Sequence, residues 1–425
     1  MHHGQVIHDP AMPGLACVMQ GDLFRDALSV AVREASDGAW TVAAVQSVRF
    51  RYRRARRAIV QFRVNLIGPS GPSTRTAAAW LHADPGKDRV RIRKAAGRAS
   101  DRLPLELREP VSGARIAMLP HDHRLPGLMH WLNAEHAHPA HDPRAPTPTL
   151  LRYRPGISAS LHLHGADGDS RFVKIVPPTA VDDLAQRWRS VCEQMTIPGL
   201  RVPRLLETDA RNGVLIFAHV DGPDLGSWLE GGNEEIPDER IERVIDAIHG
   251  FTRLELRPDR IHDHAAMLNE IDSAAALIAA VHPESGRQAL RIAASLRAAQ
   301  PAPVLAPCHG DMKPEHLMID GENSWLLDVE QTCQADPLTD LCLLAAHLQD
   351  GWHSGRYVAD RCRRLLDRIE QAGSGQARAG GELRQRRDWL RRRSALVLAR
   401  HHAQTFHPDW ETRLQQALRL GSDDD

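Results

Sequence analysis

One interruption in an otherwise helical run constrains this chain more than any other feature. From Pro237 onward apolar residues recur at helical spacing, which predicts helices over Glu239–Leu256, His262–Val281 and Ser285–Gln300, and helices again to the end. Between Pro301 and Val329 that spacing breaks. The break reads Val304-Leu305-Ala306-Pro307-Cys308-His309-Gly310-Asp311-Met312-Lys313-Pro314-Glu315-His316-Leu317-Met318-Ile319-Asp320 and then Trp325-Leu326-Leu327-Asp328-Val329-Glu330. Asp311 and Asp328 stand seventeen residues apart, each beside a short apolar strand. Pairing across Gly321-Glu322-Asn323 predicts that both acids lie at the same end of a hairpin. Phosphoryl transfer asks for such a pair: one carboxylate orients or deprotonates the attacking hydroxyl, the other holds a divalent metal on nucleotide phosphates. Lys313, two residues after Asp311, is placed to neutralise charge on the transferred group.

Upstream the pattern is strand-like and repeats itself. His8-Asp9-Pro10-Ala11-Met12-Pro13-Gly14-Leu15 resembles His121-Asp122-His123-Arg124-Leu125-Pro126-Gly127-Leu128, and Arg51-Tyr52-Arg53 resembles Arg152-Tyr153-Arg154. Each Arg-Tyr-Arg precedes an alternating run, Ala58–Val64 or Ser158–Leu163, and then a third short run, Ala77–Leu81 or Phe172–Val176. This predicts a duplicated antiparallel sheet unit. Where the second unit has Lys174 in its third strand, the first has Trp80, so the first is read as a scaffold or substrate-side cap. The Pro- and His-rich stretch 136–149 reads as a linker. Turns are expected at Pro155-Gly156 and Gly165–Asp169, and a helix whose apolar face is Val181, Leu184, Trp188, Val191 and Met195. The expected organisation is an amino-terminal domain at 1–135, the linker, a small lobe with hinge at 150–222 and a helical large lobe at 223–425. A sheet-rich lobe followed by a helical lobe with one loop-strand insertion outlines a bilobal kinase.

The segments HGDMKPEH, LLDVEQ and DPLTDL resemble the catalytic part of the aminoglycoside phosphotransferase and choline kinase group. Arg152–Gly156, Phe172–Val176, Val202–Leu206 and Ile216–Gly222 are similar to its small-lobe strands, and Phe406-His407-Pro408-Asp409-Trp410 to its closing helices. The resemblance, over about residues 150 to 420, implies an α+β, bilobal protein-kinase-like fold with an extra amino-terminal sheet-containing domain. It implies Asp311 as catalytic base, Asp328 as principal metal ligand and Lys174 as the phosphate-binding lysine. Backbone groups near Ala218 and Val220 would meet adenine, His309 would support the loop, and Asp336 and Asp340 would brace it. The implied cofactors are ATP and Mg²⁺, and the implied activity is ATP-dependent phosphorylation of a hydroxyl on a small molecule such as a sugar, aminoglycoside or amino alcohol. Glu270 or Asp272 is a candidate to meet a cationic acceptor. One departure matters: the family's metal-binding Asn is His316 here. Mg²⁺ prefers oxygen, so His316 as a ligand points to Mn²⁺ as the alternative ion, or to a pseudokinase that binds without turnover. A protein kinase is disfavoured because helix follows Asp328 almost directly, leaving little room for an activation segment.

Bulk properties exclude other classes. Acidic and basic residues are equal at 54 each, which argues against nucleic acid as a partner. Arg49 to Arg57 interleaves arginines with Phe50 and Tyr52, and the alternation reads as a half-buried strand with a solvated face. Only four of the 54 basic residues are lysines, among them Lys174 and Lys313, and a slim point charge is not interchangeable with the broad arginine fork. No run of eighteen apolar residues predicts a membrane span, and no signal-peptide core follows Met1. Six separated cysteines without a CxxC pair are read as reduced thiols of a cytoplasmic protein.

Overall fold

The computed structural model describes residues 7–84, 106–132, 147–165, 170–231, 237–258, 260–302, 304–320, 323–375, 380–405 and 409–422. Most of the expected linker, the turns at 166–169 and 321–322, Phe406–Pro408, Lys87, Lys94 and the last three residues lie outside them. The chain divides into two units, one of Met1–Val181, Thr208–Ile216 and Ala403–Trp410, the other of Asp182–Glu207, Phe217–His402 and Glu411–Asp425.

The first unit opens with α1 (Leu15–Met19) and α2 (Gly21–Ala35). Phe24, Ala27, Leu28, Ala31 and Val32 form a buried stripe at helical spacing along α2. Phe24 meets Phe62 edge-on, with ring centroids 5.1 Å apart. The strands that follow are β1 (Thr41–Arg53), β2 (Arg57–Gly68), β3 (Gly71–His82), β4 (Glu106–Arg108) and β5 (Arg115–Met118). After α3 (Gly127–Leu132) come β6 (Thr147–Arg154), β7 (Ser158–His164) and β8 (Arg171–Ile175), then α4 (Val181–Gln194) and β9 (Leu200–Arg201), which belong almost wholly to the second unit, and then β10 (Leu205–Asp209) and β11 (Val214–Ala218). β6 starts at Thr147, so the last residues assigned to the linker already belong to a strand.

Two sheets have the same strand order, β1-β2-β3-β5-β4 and β6-β7-β8-β11-β10. The likeness extends to single hydrogen bonds. Asp9 Oδ2 accepts from the Tyr52 hydroxyl and the Ala55 N–H, both at 2.8 Å. Asp122 Oδ2 accepts from the Tyr153 hydroxyl at 3.0 Å and the Gly156 N–H at 2.7 Å. Each carboxylate's other oxygen takes the N–H two residues on, Ala11 or Arg124. Ala55 and Gly156, at the matching turn position, are both left-handed, with φ of 49° and 65°. The strand registers coincide as well. Ala58 pairs with Leu81 as Ala159 pairs with Ile175, and one step further Ile59 faces Trp80 as Ser160 faces Lys174. Trp80 therefore occupies, in the first sheet, the place of Lys174 in the second. Its indole is buried against the Gly156 turn, under the Arg115 guanidinium at 5.2 Å and beside His123.

The second unit is largely helical: α5 (Leu225–Glu230), α6 (Asp238–Phe251), α7 (His264–Val281) and α8 (Pro283–Ala298), then after the interruption α9 (Thr339–His353), α10 (Ala359–Gly375), α11 (Gly380–Ala403) and α12 (Trp410–Leu420). Asp263 caps α7 by accepting the Ala266 N–H at 2.9 Å. The interruption holds β12 (Ala306–Cys308), β13 (Leu317–Asp320), β14 (Asn323–Leu326) and β15 (Cys333–Ala335). β13 and β14 pair antiparallel, Leu317 with Leu326, while β12 pairs with β15. All six cysteines are free, and five of them are buried. No helix among the described residues is long and apolar enough to cross a membrane.

The Gly156 turn supports a direct test. A Cβ at this position would collide with the Trp80 ring, whereas Ala55 shows that the left-handed backbone itself tolerates one. Gly156→Ala is expected to lower stability by about 2–4 kcal/mol, combining left-handed strain with overpacking. Trp80→Leu in the same background should recover part of that loss. Urea unfolding of the double-mutant cycle measures the coupling, and zero coupling would remove Trp80 as the cause.

Candidate active site

The interruption becomes a site because its backbone is tied down from beneath. Asp340, fully buried in the first turn of α9, accepts the His309 N–H at 2.6 Å and the Gly310 N–H at 2.9 Å. Burial raises its pKa above the usual carboxylate value, opposed by His309 and the two amides. Gly310 has φ of 80°, and a Cβ there would come within 2.6 Å of the Gln331 carbonyl oxygen, so the loop admits only glycine. His309 donates from Nε2 to the Leu327 carbonyl at 2.7 Å, leaving Nδ1 to accept the Asp311 N–H at 3.4 Å. Burial, with neighbouring His316, lowers the His309 pKa, in keeping with that neutral tautomer. His309 thus joins the loop to the end of β14.

The side chains this scaffold presents converge. The Asp311 side chain is 46% exposed, and Lys313 Nζ lies 3.1 Å from its Oδ2. Burial works against ionisation of Asp311, but Lys313, His316 and His309 together hold its pKa below the ordinary value. His316 donates from Nδ1 to the Asp311 carbonyl at 2.8 Å, and its Nε2 lies 3.3 Å from Asp328 Oδ2. Asp328 itself is left-handed, with φ of 57° and ψ of 37°, a conformation rare outside glycine and concentrated at functional sites. The Leu327 N–H bonds to the His316 carbonyl at 2.9 Å, so the hairpin brings Asp311 and Asp328 to one end.

The tautomer of His316 limits what can sit beside it. With Nδ1–H given to a carbonyl, Nε2 of the neutral ring is a lone pair facing a carboxylate oxygen. A positive centre belongs at that place, either a proton on Nε2 or a metal ion. Asp328 Oδ2 and His316 Nε2 fit one nitrogen and one carboxylate ligand of a borderline divalent ion such as Mn²⁺ better than the all-oxygen shell of Mg²⁺. No group of three or more metal-binding side chains occurs among the described residues, so other ligands would come from water and phosphate.

Other expected residues fall elsewhere. Lys174 belongs to the first unit, 7% exposed on β8. Ala218 and Val220 belong to the second, and the Ala218 N–H is engaged by the Arg204 carbonyl at 2.9 Å. Asp336 braces α11, pairing with Arg386 at 2.7 and 2.9 Å and capping the Leu338 N–H. Glu270 and Asp272 are corrected as cation-binding candidates: Glu270 is engaged by Arg393, Arg400 and His262, and Asp272 by Arg297. Two features escaped the sequence reading. His347 lies within reach of Lys313, Glu315 and Asp311, and burial with the Lys313 charge lowers its pKa to about 4. Glu315 is held by Arg356 at 2.6 Å, which also pairs with Glu230 at 2.7 Å. The seven-residue step from Asp340 to His347, which puts both on one face of α9, was the only signal available for the first.

A second five-stranded sheet followed along the chain by helices that carry this loop and hairpin defines the class: an α+β, protein-kinase-like fold, here with an additional amino-terminal sheet. The chain matches the phosphotransferase enzyme family, APH, over residues 149–384, more than half of its length, and it belongs to that family. Among solved structures it is similar to a thermostable mutant of aminoglycoside phosphotransferase APH(4)-Ia (13% identity, 66% of this chain and 96% of that one, TM-score 0.43). It is also similar to a choline/ethanolamine kinase family protein from Mesorhizobium loti (18%, 65% and 89%, 0.41) and to an ethanolamine kinase from Plasmodium vivax (6%, 69% and 87%, 0.46). No curated protein matches the chain significantly.

Asp340→Asn leaves one oxygen where two accepted backbone N–H groups. Stability should fall by about 2–3 kcal/mol, the scale of one hydrogen bond to a charged group. Amide exchange at His309 and Gly310 should quicken in step, and unchanged exchange would show that Asp340 does not hold the loop.

Proposed function

We propose that this phosphotransferase is an ATP-dependent kinase acting on a hydroxyl group of a small molecule, with the loop 309–328 as its catalytic centre. The observation that carries the reading is the convergence of Asp311, Lys313, His316 and Asp328 on one braced loop and hairpin. Asp311, kept ionised by Lys313, accepts the hydrogen bond of the acceptor hydroxyl and aims its oxygen at the terminal phosphorus. As the new P–O bond forms and the bond to the bridging oxygen breaks, the hydroxyl proton passes to Asp311 and ADP departs with the bridging oxygen. Lys313 offsets charge on the transferred group, and Lys174 binds phosphates on the small lobe. Asp328 and His316 would hold the divalent ion, which when bound supplies charge neutralisation at the phosphates. The backbone at Ala218 and Val220 would meet the base. Glu270 is held by Arg393, Arg400 and His262, so a cationic acceptor draws no support from it.

The 3.3 Å contact between His316 and Asp328 also supports a second reading, in which an imidazolium takes the place of a metal and the protein binds nucleotide without turnover. One experiment separates the two. Coupled ADP-release assays across a panel of hydroxyl acceptors should show turnover greater with Mn²⁺ than with Mg²⁺. His316→Asn should reverse that preference, and Asp311→Asn should lower kcat by about 10²–10⁴-fold while the fold is retained. Calorimetric Mn²⁺ binding in the presence of a non-hydrolysable ATP analogue gives a readout apart from activity. Metal-independent nucleotide binding with no turnover in either wild type or His316→Asn would sink the kinase reading and leave the binding protein.

A further inference from the structure

A single guanidinium in the second unit ties two separate pieces of chain together. Arg356, just after α9, sets Nε 2.7 Å from Glu230 at the end of α5 and Nη1 2.6 Å from Glu315 beside the catalytic loop. Its planar fork lets one side chain serve both carboxylates. The fork also lies against the Tyr357 ring, 4.9 Å from its centroid, and the Tyr357 hydroxyl donates to the same Glu315 oxygen at 3.4 Å. Tyr357 is buried, and its N–H bonds to the Gly351 carbonyl of α9 at 2.9 Å. The backbone of α5 comes close to Glu315 at Gly226, where a Cβ would stand 3.5 Å from Glu315 Cγ. Burial works against ionisation of Glu315, but its own backbone N–H and the Arg356 guanidinium hold its pKa below the ordinary value.

Each end of this clamp continues into a part of the proposed site. Glu315 is the middle residue of the 3₁₀ turn Pro314–His316, and the His316 N–H bonds to the Lys313 carbonyl at 2.9 Å. A turn this tight moves as a piece, so what fixes Glu315 also fixes Lys313 beside Asp311 and His316 beside Asp328. Glu230 closes α5, which follows shortly after the backbone at Ala218 and Val220. Between them Asp224 caps α5 by accepting the Ser227 N–H at 2.8 Å, and its backbone pairs with Met318 of β13. At the other end of α5 the Val358 N–H bonds to the Leu229 carbonyl at 2.8 Å. Stability alone does not account for the clamp. An exposed ion pair contributes about 0–1 kcal/mol, and the side chains of Arg356 and Glu230 are 44% and 48% exposed. What the doubly engaged fork supplies is geometry. Without it Glu230 and Glu315 would face one vacated place as like charges.

We propose that Arg356 is a positioning residue for the phosphotransfer proposed above, and the inference rests on that reading. It locks α5, and with it the backbone at Ala218 and Val220, to the turn that presents Lys313 and His316. Binding of the base and binding of the metal ion then reinforce each other through the protein, by the same factor in either direction. This coupling is separate from any direct bond between phosphate and metal.

Adenosine tests this, because it carries the base but no phosphate to ligate a metal. Mn²⁺ is titrated into the full-length protein by calorimetry, with and without excess adenosine, in wild type, Arg356→Ala and Glu230→Ala. In wild type adenosine should tighten Mn²⁺ binding by about fivefold or more and slow amide exchange at Glu315 and His316. In both variants adenosine should still bind, while the tightening and the slowed exchange disappear. Arg356→Lys, which keeps the charge but not the fork, should restore only part of the effect. Glu230→Ala, at an exposed position of α5, leaves the Arg356–Glu315 pair in place and gives the reading should Arg356→Ala fail to fold. No effect of adenosine in a wild type that binds the ATP analogue, or an equal effect in wild type and Glu230→Ala, would overturn the positioning role alone. A wild type that binds neither the ATP analogue nor Mn²⁺ overturns the kinase reading with it.

Discussion

Much of the loop's geometry depends on one buried carboxylate accepting two backbone N–H groups. Asp340 grips His309 and Gly310 from within α9, and everything presented to solvent along the loop follows from that. Gly310 can take its left-handed turn there, His309 can bridge from the loop to Leu327, and Asp311 leaves the loop half-exposed beside Lys313. A carboxylate at this depth would be costly if unpaired; two charge-assisted hydrogen bonds offset that cost and give it one geometry. Asp311 and Lys313 are therefore ordered by a residue whose own hydrogen bonds go to the loop backbone.

The first unit uses the same device twice. Asp9 and Asp122 each gather a tyrosine hydroxyl and two backbone N–H groups into one turn. The two sheets then diverge at a single register position. Lys174 keeps a charge on the face of the second, whereas Trp80 fills the first and seats the Gly156 turn. An indole at that position cannot serve phosphate. Its packing onto Gly156 instead couples the amino-terminal sheet to the β6–β7 turn within the same unit.

What was legible in the sequence was whatever the chain keeps local. Asp311, Lys313, His316 and Asp328 fall within one loop and hairpin, so their spacing alone predicted that they would meet. The helical stretches showed in their periodicity, and the paired Asp and Arg-Tyr-Arg motifs showed that something repeats. Their meaning did not show: no local pattern says that Asp9 will find Tyr52 or that Asp122 will find Tyr153, because those meetings depend on how strands are ordered. Nor did Glu270 and Asp272 reveal their engagement, since Arg393 and Arg400 lie more than a hundred residues on and Arg297 on a neighbouring helix. The stripe along α2 was present at helical spacing and could have been read.

The two histidines of the loop show how hydrogen bonding divides the work of one residue type. His309 gives Nε2–H to a carbonyl and uses Nδ1 to receive a backbone N–H, so both nitrogens are committed to structure. His316 gives Nδ1–H to the Asp311 carbonyl and turns Nε2 toward Asp328. An amide side chain in the same place would offer an oxygen to a hard ion with no proton to arrange. An imidazole offers a softer donor whose direction is fixed by the Asp311 carbonyl, the same residue whose side chain sits next to Lys313. His316 therefore ties whatever meets its Nε2 beside Asp328 to the backbone of Asp311, and a change in one cannot leave the other untouched.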